Sequence, residues 1–263
     1  MQVASSIQRA IVKELRASGC VFAEDEAQWL VSSSDTMGDL THRVAQRVAG
    51  VPLEYVLGWT EFYGLRIVLE PGVFVPRRRT EFLVRQALSL ARTGYVVVDL
   101  CCGSGAVGAA LIANQGDCIL YAVDVDPAAV RCARENIGDQ GEVREGDLFK
   151  PLPPDLRGRV NLVVANAPYV PTDAIDTMPQ EARLYEHHVA LDGGVDGLDI
   201  QRRIAAHAPV WLANGGHLLM ETSRSQAERS AEICLEQGLM PWIMTSDDLD
   251  ATVIVACKDT VGD

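Results

Sequence analysis

The sequence predicts an α/β protein: a mostly parallel seven-stranded sheet with helices on both faces, behind a small N-terminal helical domain and a β-hairpin linker. Three observations predict it. From residue 95 onward, short apolar runs alternate with helical patterns, as expected for parallel strands joined by crossover helices. Before residue 59 the periodicity is helical throughout. Between them lies a short β-rich stretch interrupted by turn residues. The expected division is therefore residues 1–58, 59–80 and 81–263.

Val3, Ile7, Ile11 and Leu15 recur every fourth residue and predict a helix over 3–18. Glu24–Val31 and Leu40–Val48 have similar amphipathic faces, and Gly50 with Pro52 ends the set. Such a module either recognises a partner or packs on the rest as a lid. Phe62–Leu69 and Val73–Val75 flank the turn signal Glu70-Pro71-Gly72 and predict the hairpin. Thr80 is the expected N-cap of a helix over Glu81–Ala91. Strands are expected at Tyr95–Leu100, Ile119–Val123, Glu142–Glu145, Asn161–Ala165, Gly216–Glu221, Trp242–Thr245 and Thr252–Cys257, the last two as an antiparallel pair. Helices are expected at Val107–Asn114, Ala128–Asn136, Leu198–Leu212 and Ser225–Gln237.

Composition narrows the function. A net charge of −13 argues against non-specific nucleic-acid binding, which needs clustered cations for phosphate contacts. The one dense basic cluster is Arg77-Arg78-Arg79, read as solvated surface, an acidic-partner contact or an RNA contact. Seven scattered cysteines without a CxxC pair, and five histidines without ligand spacing, predict free thiols and no metal site. A cytoplasmic protein is expected, because Met1–Arg9 lacks an apolar signal core and no run approaches a membrane span.

Two stretches hold the chemistry. Asp99-Leu100-Cys101-Cys102-Gly103-Ser104-Gly105-Ala106-Val107-Gly108 sits where a strand turns into a helix. Glycines there admit a close ligand, and helix-start amides favour an anion or a carboxylate. Twenty-one residues past Gly103, Asp124 ends the next strand, where a carboxylate takes both hydroxyls of a ribose. Gly103 to Gly108 also reads as GxGxxG, so a nicotinamide dinucleotide is an alternative. S-adenosylmethionine is favoured by Asp99, set to face a cationic amino group through the backbone or water. Asp147, after the third strand, is placed to meet an adenine edge. The second stretch, Asn166-Ala167-Pro168-Tyr169, ends the fourth strand beside the same crevice. A carboxamide oxygen and a backbone carbonyl accept both hydrogens of a planar NH2 group, and a tyrosine ring lies on its flat face. The plain alternative is a strand followed by a proline turn.

With these pieces in order, the chain resembles the release-factor glutamine methyltransferases (HemK/PrmC type) from about Gly50 onward. The likeness includes Gly50–Gly58, Glu61-Phe62-Tyr63-Gly64-Leu65, the Pro-Arg…Thr-Glu segment at Pro76–Glu81, the glycine loop, Asn-x-Pro-Tyr, and Ala190–Asp199. The resemblance implies a class I, Rossmann-like methyltransferase fold, S-adenosylmethionine as donor and a glutamine side-chain amide as acceptor. The usual substrate is the Gly-Gly-Gln loop of a translation release factor, so a protein partner is expected and DNA or a membrane is not. Asn166, Ala167, Pro168 and Tyr169 would form the catalytic group, Asn166 serving donor and acceptor alike. Asp99, Cys101, Cys102, Gly103, Ser104 and Gly105 would hold the methionine part, Asp124 the ribose, and Asp147 with Leu148 the adenine. Arg77, Thr80 and Glu81 would join Asn166 and Tyr169 on the substrate side.

Three departures from the family's pattern stand out, at four positions. Ala167 replaces the first proline of Asn-Pro-Pro-Tyr, keeping the carbonyl on a less rigid backbone. Cys101 stands at the loop's first glycine. Pro-Arg-Arg-Arg-Thr-Glu replaces Pro-Arg-Pro-Glu-Thr-Glu, adding positive charge near the mouth. These departures keep open an N-methyltransferase for another amide or amine, in a small molecule, a nucleobase or another protein. An NAD-dependent oxidoreductase is the alternative of a different class.

Overall fold

The computed structural model describes residues 4–259. Four helices come first: α1 (Ser5–Ala17), α2 (Ala23–Ser32), α3 (Met37–Val48) and the short α4 (Leu53–Leu57). The first helix matches the predicted spacing, with Ile11 and Leu15 buried, while Val3 lies outside the described residues. These helices share their own apolar cluster, which Leu15, Leu30, Leu40 and Leu53 fill. Fully burying one such leucine contributes about 2 kcal/mol. Thr36 caps α3 by accepting the Asp39 N–H at 3.1 Å.

The hairpin sits earlier than the sequence suggested. Its strands are β1 (Trp59–Phe62) and β2 (Leu65–Val68), and Phe62 faces Leu65 across Tyr63-Gly64. Both turn residues have positive φ, 52° and 75°, as a two-residue turn matching the strand twist requires. Glu70-Pro71-Gly72 does turn the chain, with Val73 N–H reaching Glu70 O at 3.3 Å, but no hairpin forms around it. That segment instead buries Leu69, Val73 and Val75 against Tyr55 and Cys132. One side chain from a later helix ties β2 by its backbone. Asn136 Oδ1 accepts the Val68 N–H at 2.8 Å, and Nδ2 donates to Val68 O at 2.9 Å and to Ser104 O at 2.8 Å.

After α5 (Glu81–Leu90), the main unit runs β3 (Tyr95–Leu100), α6 (Ala106–Gln115), β4 (Cys118–Asp124), α7 (Pro127–Ile137), β5 (Gly141–Glu145) and β6 (Val160–Ala165). It continues with α8 (Gln180–Tyr185), α9 (Asp199–Trp211), β7 (Leu212–Thr222), α10 (Ala227–Glu236), β8 (Leu239–Ser246) and β9 (Ala251–Lys258). The sheet order is β5-β4-β3-β6-β7-β9-β8, with β9 antiparallel to both neighbours and the remaining pairs parallel. This is the expected mostly parallel seven-stranded sheet. Alternation along β3 divides the core. Val96, Val98 and Leu100 join Ile204 and Trp211 of α9 and Ile233 of α10. Val97 joins Phe82 of α5, Ala110 of α6 and Ala133 of α7 on the other face.

Strand order reverses between β3 and β6, where ligands bind in open α/β sheets. Leu100 pairs with Ala165 in that register, so the loops carrying Cys101 and Asn166 leave the sheet side by side. Among the described residues, no helix is long and apolar enough to cross a membrane.

Candidate active site

A cavity of about 470 Å³ opens at this reversal point. That size suits a nucleotide-like ligand. Asp99, Cys101 to Ser104, Asp124, Asp147, Leu148 and Asn166 to Tyr169 all line it, as do Arg77 and Thr80. Two expected residues do not. Glu81 turns to the hairpin, accepting the Tyr63 N–H at 3.4 Å and pairing with Arg85 at 3.7 Å. Gly105 faces inward, where a Cβ would lie 2.9 Å from Ala133 Cα, so it lets α6 approach α7. A Cβ on Gly103 would meet nothing within 4 Å, which marks the open side of the loop.

The loop's polar groups are arranged around space for a ligand. Asp124 Oδ2 accepts the Gly103 N–H at 2.8 Å and Oδ1 the Asp126 N–H at 2.9 Å, leaving lone pairs for two hydroxyls. Ser104 Oγ is buried without a partner in the cavity wall. Asp99 is 1% exposed and accepts the Gly108 N–H at 2.9 Å. Burial pushes its carboxyl up to about 7; the Gly108 bond opposes the shift and the Asp124 charge adds to it. Burial also pushes the Cys101 and Cys102 thiols well above their usual range, so both are neutral packing groups. Cys101 holds the left-handed conformation at φ 55°, which a glycine would adopt without strain.

Asp147 lies in the wall, but its oxygens are already engaged. Arg203 reaches them at 2.7 and 2.6 Å and Lys150 at 2.8 Å, and the two cations hold its carboxyl below the usual range. Leu148 beside it takes a left-handed turn at φ 51°.

At the acceptor end, Thr80 does not cap its helix; its own backbone is helical and its side chain makes no cap bond. The hydroxyl is buried and accepts from Asn166 Nδ2 at 3.2 Å. Tyr169 OH donates to Glu221 Oε1 at 3.1 Å, and Gln226 Nε2 holds the Tyr169 carbonyl at 2.9 Å. Burial, with the Glu221 charge adding to it, pushes the Tyr169 phenol up, so it stays protonated and keeps donating.

The arginine cluster divides. Arg77 pairs with the buried Glu186 at 2.5 Å and stacks over Phe74, Arg79 approaches Glu221 at 4.0 Å, and Arg78 is exposed. A strap between β6 and α9 closes the mouth, where Met178, Pro179, Glu181 and Ala182 line the cavity. Glu181 meets Arg47 of α3 at 2.7 Å, and His187 Nδ1 meets Asp126 at 2.5 Å. Sequence reasoning missed Glu221, Arg203 and Gln226 as parts of this site. For Glu221 a signal existed: a lone carboxylate ending the apolar run Leu218-Leu219-Met220 at a strand's carboxyl end.

The chain is similar to known proteins in sequence and in fold. Residues 64–186 match the family described as methyltransferase small domain. A release factor glutamine methyltransferase of Geobacter sulfurreducens is 40% identical over 70% of the chain, and the match spans 65% of that relative's length. One of Streptomyces coelicolor is 36% identical over 78% of the chain and 70% of its own length. Among solved structures, a methyltransferase of Pyrococcus furiosus superposes with a TM-score of 0.56 at 15% identity, covering 85% of this chain and all of its own.

Proposed function

The chain belongs to the release factor glutamine methyltransferases, and from that membership we propose that it methylates the side-chain amide nitrogen of a glutamine, in the Gly-Gly-Gln loop of a peptide chain release factor. The observation behind the proposal is the Asn166–Thr80 bond at 3.2 Å. With its NH2 turned to Thr80, the planar carboxamide turns Oδ1 the opposite way, as an acceptor for a substrate N–H. The Ala167 carbonyl accepts the second N–H, and Tyr169 supplies a flat apolar wall. Replacing proline by Ala167 leaves that carbonyl in place.

S-adenosylmethionine, when bound, supplies a methyl group on a sulfonium sulfur that leaves as a neutral thioether. Three observations support the fit of this donor: the open side above Gly103, the orphaned Ser104 hydroxyl and the spare lone pairs of Asp124. The dinucleotide alternative is disfavoured because the relatives that place the chain in its family are methyltransferases. The packing role of Gly108, whose Cβ would lie 2.9 Å from Leu120, fits either ligand.

An amide nitrogen is a weak nucleophile, so the site's main task is to hold nitrogen in line with the methyl group. Positioning of this kind supplies on the order of 7–11 kcal/mol in favourable cases. As the nitrogen gains positive charge, its bonds to Asn166 Oδ1 and the Ala167 carbonyl strengthen selectively in the transition state. This reading places the enzyme in the cytoplasm with the ribosome, and the seven free cysteines suit that reducing compartment.

The experiment combines labelled S-adenosylmethionine with purified release factors and locates the label by mass spectrometry. One methyl on the Gly-Gly-Gln glutamine is expected. Asn166→Ala should lower kcat by roughly 100-fold or more while S-adenosylhomocysteine affinity changes little. Donor binding without any methylated factor would move the acceptor to another amide or amine.

A further inference from the structure

Three arginines line the cavity: Arg77, Arg79 and Arg203. Two are engaged. Arg77 holds Glu186 at 2.5 Å, and Arg203 holds both oxygens of Asp147 at 2.7 and 2.6 Å. Arg79 differs. Its ionic contact among the described residues is Glu221, 4.0 Å from Nε, at the outer limit for an ion pair. Glu221 Oε1 already accepts from Tyr169 OH at 3.1 Å, and burial pushes this carboxyl up, so it is a weak counter-charge. The Arg79 side chain is 46% exposed, and its guanidinium keeps donors to offer.

Arg79 stands at the acceptor end. Thr80, the next residue, accepts from Asn166 Nδ2 at 3.2 Å, and Glu221 links Arg79 to Tyr169. Glu181, the carboxylate that the strap gives to the wall, is matched by Arg47 at 2.7 Å. A guanidinium so placed fits a carboxylate through two parallel N–H···O bonds. It also bears on the chemistry. The acceptor nitrogen gains positive charge as the methyl arrives, and an unpaired cation nearby opposes that gain. A carboxylate on Arg79 removes the opposition.

We infer that Arg79 is a specificity-determining residue, which takes a carboxylate that the substrate carries beside the acceptor amide. The inference rests on the glutamine-amide reading of the same site and adds the chemistry of the residues around that glutamine. Because the acceptor lies within a loop, the carboxylate is an aspartate or glutamate side chain.

Titration calorimetry on the protein loaded with S-adenosylhomocysteine compares two peptides, acetyl-Glu-Gly-Gly-Gln-Glu-amide and acetyl-Gln-Gly-Gly-Gln-Gln-amide. Wild type should bind the acidic peptide at least about tenfold more tightly, the scale of one charge-assisted hydrogen bond. Arg79→Gln should lose this preference, and Arg79→Glu should reverse it. Arg78→Gln removes the same charge from an exposed neighbour outside the cavity wall and should keep the preference within about twofold. On the release factor itself, Arg79→Gln should raise KM by about tenfold, and added salt should raise the wild-type KM more than the variant's.

Equal wild-type affinities for the two peptides, or no binding of either at millimolar concentration, would overturn the inference. So would an unchanged release-factor KM in Arg79→Gln. An equal loss in Arg78→Gln would overturn it too, because only the general field of the arginine cluster would then be acting. If wild type prefers the acidic peptide through Arg79 but methylates glutamine in neither peptide nor release factor, the acceptor reading fails and the carboxylate assignment stands.

Discussion

The backbone N–H of Gly103 donates to Asp124 Oδ2 at 2.8 Å, joining the loop after β3 to the end of β4. Asp124 thus both shapes the donor loop and presents its remaining lone pairs to the cavity. Asp124→Ala orphans the Gly103 and Asp126 amides and removes the acceptor for two hydroxyls. A bond to a charged group is worth about 1.5–3 kcal/mol, so S-adenosylhomocysteine should bind roughly 10- to 100-fold more weakly. Titration calorimetry reads this directly, and an affinity within twofold of wild type would remove Asp124 from the donor site.

Asp99 makes stability depend on pH. Its carboxyl is raised by burial to about 7 in the folded chain, against about 3.9 when unfolded. The folded state therefore holds the proton more tightly. Its stabilising contribution is complete below about pH 4 and is lost as pH rises through 7. Asp99→Asn should flatten this slope between pH 4.5 and 7.5 while its carboxamide oxygen keeps the Gly108 bond. Urea midpoints across that range provide the test, and identical slopes in the two proteins would mean that Asp99 is ionised throughout.

Arg47 ties the helical module to the mouth of the cavity. Its guanidinium meets Glu26 at 2.6 Å and Glu181 at 2.7 Å, and the side chains of Arg47 and Glu26 are 10% and 9% exposed. Arg47→Met leaves Glu26 buried without a counter-charge and should destabilise the protein by about 3 kcal/mol. Glu181 is half exposed, so Glu181→Gln should lose at most about 1 kcal/mol. Chemical denaturation separates the two, and a neutral Arg47→Met would show that the Arg47–Glu26 pair adds no stability.

Much of this arrangement could be read from the chain alone, for local reasons. The run from Val160 to Ala165 and the glycine loop after Leu100 announce themselves by apolar continuity followed by an abrupt break. Their convergence follows from the rule that ligands sit at strand carboxyl ends. Thr80 shows the limit. In the sequence it precedes a helix as a cap should, yet its hydroxyl is claimed by Asn166, 86 residues away. The hairpin was misplaced because Glu70-Pro71-Gly72 is the stronger turn signal, whereas Tyr63-Gly64 needs a tyrosine in a left-handed conformation. For Glu221 the sequence carries the carboxylate at the end of an apolar run but not its partners, Tyr169 and Arg79, which only the fold brings to it.

The Asn136 clamp on β2 has a consequence for self-association. A two-stranded ribbon has open edges, and an unpaired edge is a template on which a strand of another molecule can add. The N–H and C=O of Val68 are the outward-facing pair that such a strand would engage first at this end of β2. Asn136 already satisfies both, imitating one residue of a neighbouring strand while its position on α7 prevents the imitation from being extended. One carboxamide thus fastens the ribbon to the catalytic unit and blunts the edge that would otherwise invite polymerisation.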